Sequence, residues 1–99
     1  MKKEQIDVFI MLPGEYPYEA RIDNTLEALQ EIVGGYIEVV SFPAGLVVIC
    51  NEEGRLKGME PTCDVCGVDF CGPVVFAGAD GDEFTDCPIH LEPLLQELN

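Results

Sequence analysis

The sequence predicts an α+β fold, in which a small sheet carries one helix and a metal-bound segment follows. Three observations lead to this prediction: short apolar runs bounded by turn residues, one capped amphipathic segment, and two Cys-containing pairs in the last 40 residues. The 99 residues suit a single domain with a modest core. We therefore expect one domain over 1–99, with a sheet-and-helix part over 1–60 and a zinc-stabilised part over 61–99.

Four segments of the first part are predicted strands. Residues 6–12 form an uninterrupted apolar run that ends at a Pro-Gly turn, and residues 18–22 alternate between apolar and polar side chains. Residues 36–42 and 45–50 are two further apolar segments separated by a proline. With the helix between the second and third strands, the order is β-β-α-β-β.

The predicted helix begins with a capping-box spacing. The Asn24 side chain is placed to accept the Glu27 amide, while the Glu27 side chain reaches back. A glycine pair at Gly34 ends the helix, because glycine readily adopts the left-handed conformation of a C-cap. An apolar stripe at helical spacing faces the core between these ends, formed by Leu26, Leu29, Ile32 and Val33.

Two ligand pairs in the second part predict a structural Zn²⁺ site. Cys63 and Cys66 form a CxxC pair, and after twenty residues Cys87 and His90 form a CxxH pair. Two thiolates three residues apart suit one tight turn, and a distant second pair completes a tetrahedron. Because four protein ligands leave no open position, the predicted zinc is structural and not catalytic.

The segments around these pairs predict a knuckle, a hairpin and a short helix. Gly67 supplies the turn of the knuckle, and residues 74–77 and 83–85 form a hairpin across Asp80-Gly81. This order is similar to that of a zinc ribbon or treble clef. Pro93 favours a short turn over 88–91 and a helix that begins at the proline itself.

Two alternatives to this ligand set stay open. Cys71 is able to replace His90 as the fourth ligand, or else it is a small buried residue like Cys50. The CxxC pair also occurs in redox proteins, although this chain lacks the βαβ context of thioredoxin and a redox role leaves the CxxH pair unexplained.

The charge pattern excludes some partners and favours others. The net charge is −14, and all five basic residues precede residue 58. Because nucleic-acid phosphates are bound by Lys and Arg, we expect no binding to DNA or RNA. An acidic surface instead favours a protein partner with a basic surface. Nine acids and no base follow Lys57: Glu60, Asp64, Asp69, Asp80, Asp82, Glu83, Asp86, Glu92 and Glu97.

The sequence also predicts a cytoplasmic protein. No secretion signal is recognisable at the N-terminus, and the apolar run over 8–12 is too short for a signal core or a membrane span. A reducing compartment agrees with cysteines that bind metal instead of forming disulfides.

Three stretches of the chain resemble the uncharacterised family called domain of unknown function 3846. They are TLEALQEIVGGYIEVV over 25–40, VICNEEGRLKG over 48–58 and DFCGPVVF over 69–76. The resemblance implies an accessory gene of phages, mobile elements or the bacteria that carry them, and it brings no catalytic residues. The zinc pairs are not part of the family's general pattern and depend on spacing alone.

These observations predict a non-enzymatic, zinc-stabilised acidic protein that binds a basic protein partner, with inhibition of a host defence factor as an expected role. The hairpin turn is the expected contact, because four carboxylates are close together there in sequence. A small-molecule or nucleotide-binding protein is the alternative. The four carboxylates are Asp80, Asp82, Glu83 and Asp86.

Overall fold

A computed structural model describes residues 3–98 of the protein. It contains helices and mainly antiparallel strands, so the predicted α+β class is confirmed. The strands are β1 Gln5–Met11, β2 Tyr18–Asp23, β3 Ile37–Ser41, β4 Leu46–Asn51, β5 Pro61–Val65, β6 Val68–Cys71, β7 Val74–Asp80 and β8 Glu83–Thr85. The helices are α1 Leu26–Val33 and α2 Leu91–Glu97, and a 3₁₀ turn spans Pro43–Gly45.

The main sheet has the order β2-β1-β7-β4-β3, and β8 pairs with the far end of β7. All of these pairs are antiparallel. The expectation of a four-stranded sheet formed by the first 60 residues alone is therefore wrong. β7 lies between β1 and β4 because its apolar residues are buried on both faces, which suits a central strand.

The two faces of the sheet carry separate cores. Alternate residues of β1, β4 and β7 pack against α1, with Leu29 and Val33 fully buried. The opposite residues of the same strands pack against the β5–β6 hairpin and α2, with Phe76 and Leu94 at their centre. The molecule thus has three layers: one helix, the sheet, and a layer formed by hairpin and helix.

The start of α1 differs from the prediction by one residue. Thr25, not Asn24, is the N-cap, and its Oγ1 accepts the Ala28 amide at 3.1 Å. The Asn24 side chain is buried and donates to the carbonyls of Lys3 and Phe84, so it joins the helix start to β8. The C-terminus is as predicted, because Gly34 has a φ of 80° and closes the helix.

The predicted knuckle is a two-stranded hairpin in the structure. β5 and β6 pair directly on either side of the turn at Cys66-Gly67. The second helix begins at Leu91, two residues before the predicted start. Pro93 is tolerated there because the first amides of a helix have no intrahelical acceptor. Neither helix described within 3–98 has the length and apolar character needed to span a bilayer.

Candidate functional site

The two cysteines of the CxxC pair lie in different surroundings. Cys63 is on β5, is 7% exposed and packs in the core below the sheet. Burial, with smaller contributions from Asp64 and Cys50, raises the pKa of the Cys63 thiol to about 11. Cys66 is exposed at the hairpin turn, and its thiol lies 3.9 Å from a carboxylate oxygen of Glu97.

The two residues of the CxxH pair also differ in their surroundings. The amide of Cys87 donates to the Asp7 carbonyl at 2.8 Å, and its thiol is 3.6 Å from the Ile89 carbonyl. Burial raises the pKa of this thiol as well. His90 is exposed at the N-cap of α2, where its side chain makes no capping hydrogen bond.

The structure therefore does not bring the four predicted ligands together. In the part of the chain from Lys3 to Leu98, no three or more Cys, His, Asp or Glu side chains are placed to hold one metal ion. The alternative ligand Cys71 pairs with Pro61 across the hairpin and does not complete such a group. The arrangement does not fit a tetrahedral site, and zinc binding stays a prediction of the sequence spacing.

The basic residues lie mainly in ion pairs with neighbouring acids. The Arg21 guanidinium donates to Asp7 at 2.8 Å, and this contact raises the pKa of Arg21. Arg55 lies 3.4 Å from Asp69. With the Lys3–Asp86 pair, three of the four cations within 3–98 are matched by carboxylates, and the remaining acids give the surface its negative charge.

The hairpin predicted as the contact surface is present, but only three of its four carboxylates lie at the turn. Asp80 and Glu83 pair across the β7–β8 turn, and Asp82 lies within it. Asp86 lies beyond β8, where it accepts the Lys3 ammonium at 2.5 Å and the Asp7 amide at 2.8 Å. These contacts lower the pKa of Asp86. We call Asp80, Asp82 and Glu83 the tip carboxylates.

A cleft beside the β5–β6 hairpin was not predicted. It has a volume of about 540 Å³. Asp64 and Asp69 are direct cross-strand partners on the outer face of the hairpin, and Arg55 reaches Asp69 from the loop before β5. Like charges at opposed positions repel, so Arg55 stabilises this pair of strands. We call this the outer cleft; its other lining residues are Met59, Pro61, Thr62, Cys63, Phe70 and Cys71.

A second depression lies between the 3₁₀ turn, the β5–β6 turn and α2. Its volume is about 310 Å³, and most of its surface is apolar. No sequence signal indicated it, since its walls come from four separated segments. We call it the end groove; its lining residues are Phe42, Pro43, Ala44, Leu46, Val65, Cys66, Ile89 and Glu97.

Comparison with known proteins identifies a family. No curated protein and no solved structure matches the chain significantly. A family model described as Domain of unknown function (DUF3846) matches residues 6–98, which includes every strand from β2 onward, both helices and nearly all of β1. Because this match extends over nearly the whole chain, the protein belongs to the DUF3846 family.

Proposed function

We propose that this protein acts by binding a partner protein through a basic surface of the partner, and not by catalysis. The observation that carries the proposal is the pairing of cations within the molecule. Lys3, Arg21 and Arg55 are each matched by a carboxylate, while none of the tip carboxylates is in an ion pair with a cation of residues 3–98. A surface of this kind attracts Lys and Arg side chains and speeds encounter by electrostatic steering.

The tip carboxylates are well placed for this contact. Asp80 and Asp82 are exposed, and the two-residue turn between β7 and β8 projects them from the end of the sheet. The turn extends from β7, the central strand of the sheet, which holds it in place. The proposed partner is a protein whose basic surface also binds nucleic-acid phosphates. A host defence nuclease belongs to this class.

The geometry gives less support to catalysis. Burial raises the pKa of Cys50 and of Cys63 to about 11, so both thiols are neutral at pH 7 and are poor nucleophiles. Cys66 is exposed, and the group next to its thiol is the carboxylate of Glu97.

The proposal is tested by selecting a displayed library of random 12-residue peptides on the immobilised protein at low salt. We expect the selected peptides to be enriched in Lys and Arg, and their binding to weaken as the salt concentration rises. Changing Asp80→Asn, Asp82→Asn and Glu83→Gln together should slow association of the selected peptides.

A matched control neutralises three exposed acids elsewhere. Glu15→Gln, Glu31→Gln and Glu52→Gln change the net charge by the same amount and leave the tip intact. The proposal is wrong if the selected peptides are not basic, or if the two triple variants associate equally slowly. The second result assigns binding to net charge instead of the tip.

A small-molecule ligand is the second candidate, favoured by the outer cleft. Its volume of about 540 Å³ is within the range of ligand sites, and Arg55 and Thr62 offer hydrogen-bond groups. Asp64 and Asp69 on its wall repel a nucleotide phosphate and favour a cationic ligand.

A fragment screen, followed by measurement of amide chemical shifts, distinguishes the two candidates. Shifts confined to residues 61–71 support the cleft. An Asp69→Asn change should then weaken binding of the fragment.

A further inference from the structure

The end groove combines an apolar wall with a single charged group. Pro43, Leu46 and Ile89 supply apolar surface, and Glu97 supplies a carboxylate. Among residues 3–98, no Lys or Arg lines it. This is the chemistry that recognises an amphipathic cation, because the alkyl stem of Lys or Arg packs on apolar surface while its charged end reaches a carboxylate.

Two unusual backbone conformations form opposite walls of this groove. Ala44 has a φ of 65° and Cys66 a φ of 50°, and within the described residues these are the only non-glycine residues with positive φ. A residue with a Cβ is strained in this conformation, and strained residues concentrate where a protein binds its ligand. The strain agrees with a binding role, but the chemistry of the lining identifies the ligand.

The groove and the tip carboxylates lie at the same end of the molecule. Leu46, at the start of β4, pairs with Gly78 near the end of β7, and a Cβ on Gly45 would lie 3.7 Å from the Ala79 carbonyl. The 3₁₀ turn that lines the groove is therefore adjacent to the segment that leads to Asp80. A partner that contacts the tip is within reach of the groove.

We propose that the end groove receives one Arg or Lys side chain of the basic partner, with the alkyl stem against Leu46 and Ile89 and the cation at the Glu97 carboxylate. This inference rests on the proposed function and adds a specific anchor to it. The groove volume of about 310 Å³ is at the lower limit for ligand sites, which suits one long side chain better than a larger molecule.

The direct test uses butylguanidinium as the probe, with N-butylurea as its neutral counterpart of nearly the same shape. Two-dimensional ¹⁵N–¹H spectra should show saturable shifts of the Ala44, Cys66 and Glu97 amides with butylguanidinium. N-butylurea should bind about fivefold more weakly, since one exposed ion pair contributes about 1 kcal/mol. Shifts spread evenly over the acidic surface, or equal affinity for both probes, would overturn the inference.

Two substitutions on the same helix separate the groove from general electrostatics. Glu97→Gln should weaken butylguanidinium binding about fivefold, whereas Glu92→Gln removes an equal charge from an exposed position outside the groove and should have little effect. An equal loss in both variants contradicts a specific anchor.

Cys66 provides an independent test. N-ethylmaleimide should modify this exposed thiol, fill the groove and abolish the shifts caused by butylguanidinium. Peptide mass spectrometry should locate the modification, and the loss of the shifts should follow the modified fraction of Cys66, which separates it from reaction at Cys71 and Cys87. Unchanged binding by the modified wild type contradicts the inference.

The outcomes also separate this inference from the proposed function. If selected basic peptides bind the wild type and Glu97→Gln equally well, the anchor is wrong and the proposed function stands. If butylguanidinium occupies the groove but no basic peptide binds, the proposed function fails, and the anchor for a partner side chain fails with it.

Discussion

Cys63 and Cys66 are three residues apart in sequence but lie in two different chemical environments. Strand alternation points Cys63 in the same direction as Val65, into the core. The turn then reverses the chain at Cys66 and leaves its side chain exposed. The first thiol therefore behaves as a small apolar group, while the second belongs to the rim of a groove.

Asp86 is a second residue whose role depends on its neighbours. Its carboxylate accepts the Lys3 ammonium and the Asp7 amide, and it thereby ties the N-terminal segment to the end of β8. The same contacts lower the pKa of Asp86, with the Lys3 hydrogen bond as the largest cause.

We expect Asp86→Asn to lower the free energy of unfolding at pH 7 by about 0.5 kcal/mol, a small value because the pair is exposed to solvent. A lowered folded-state pKa contributes stability above the unfolded-state pKa, near 4, and this contribution is lost as the pH falls through the folded-state value. The difference in unfolding free energy between the wild type and the variant should therefore decrease as the pH falls from about 5 to about 3. Urea unfolding across this range measures it, and Lys3→Gln should show the same narrowing. A constant difference contradicts the linkage.

At the scale of the elements, Asn51 connects three parts of the fold. It is 4% exposed at the end of β4. Its side-chain amide donates to the Val33 carbonyl at 3.1 Å, which satisfies the C-terminus of α1, and its side-chain carbonyl accepts the Glu53 amide at 2.8 Å. A Cβ on Gly35 would lie 2.9 Å from the Asn51 amide nitrogen, so glycine at that position permits the close approach.

Asn51→Ala should lower the free energy of unfolding by about 1–3 kcal/mol, because it leaves the buried Val33 carbonyl without its partner. The exposed neighbour Glu52 provides the control, and Glu52→Ala should change stability by less than about 0.5 kcal/mol. Chemical denaturation of the three proteins is the measurement. Equal stability of wild type and Asn51→Ala would refute the structural role.

The β5–β6 hairpin and α2 are attached to the sheet by apolar packing. Val65, Phe70 and Leu94 are buried against the lower face, with Leu94 fully enclosed. Each fully buried side chain of this size contributes about 1.5–3 kcal/mol. This layer therefore has a source of stability that does not depend on metal.

We expect the amide resonances of Val65 and Phe70 to keep their dispersion when the protein is purified with a chelator. Cys63→Ser should lower stability by about 1–3 kcal/mol, because it buries a hydroxyl in an apolar core.

Elemental analysis of protein purified without chelator tests the zinc prediction itself. The spacing argument is supported if the wild type contains one zinc per chain, and if Cys63→Ser and Cys87→Ser each lose both the zinc and the folded hairpin. That result would require the ligands to rearrange from their positions in the structure.

At the scale of the whole molecule, charge is the dominant property. The net charge is −14, and three of the four cations between residues 3 and 98 are engaged by carboxylates of the same surface. Favourable contacts to phosphates need several available cations. The distribution thus disfavours nucleic acid and favours a basic partner.

We expect no shift of a duplex DNA or of an RNA in a gel at about 0.15 M salt, the physiological ionic strength, with protein at micromolar concentration. The physical reason is repulsion between phosphates and the acidic surface. A shift that disappears as the salt concentration rises would show a cationic surface that the structure does not indicate.

The local elements could be predicted from short stretches of sequence. Apolar runs bounded by proline and glycine located β1 to β4, and Gly34 located the end of α1, because these signals act within a few residues. The cap was misplaced by one residue. Asn24 and Thr25 are both good caps, and the choice between them depends on a distant carbonyl at Phe84 that the Asn24 side chain reaches.

Which segments pack together became clear from the three-dimensional fold alone. β7 enters the sheet between β1 and β4 because that position buries both of its apolar faces, and strand order is a non-local property that no short pattern contains. For the same reason the cysteine spacing did not reveal where Cys63 and Cys66 point. The end groove was equally hidden, since its lining residues come from four segments that are far apart in the sequence.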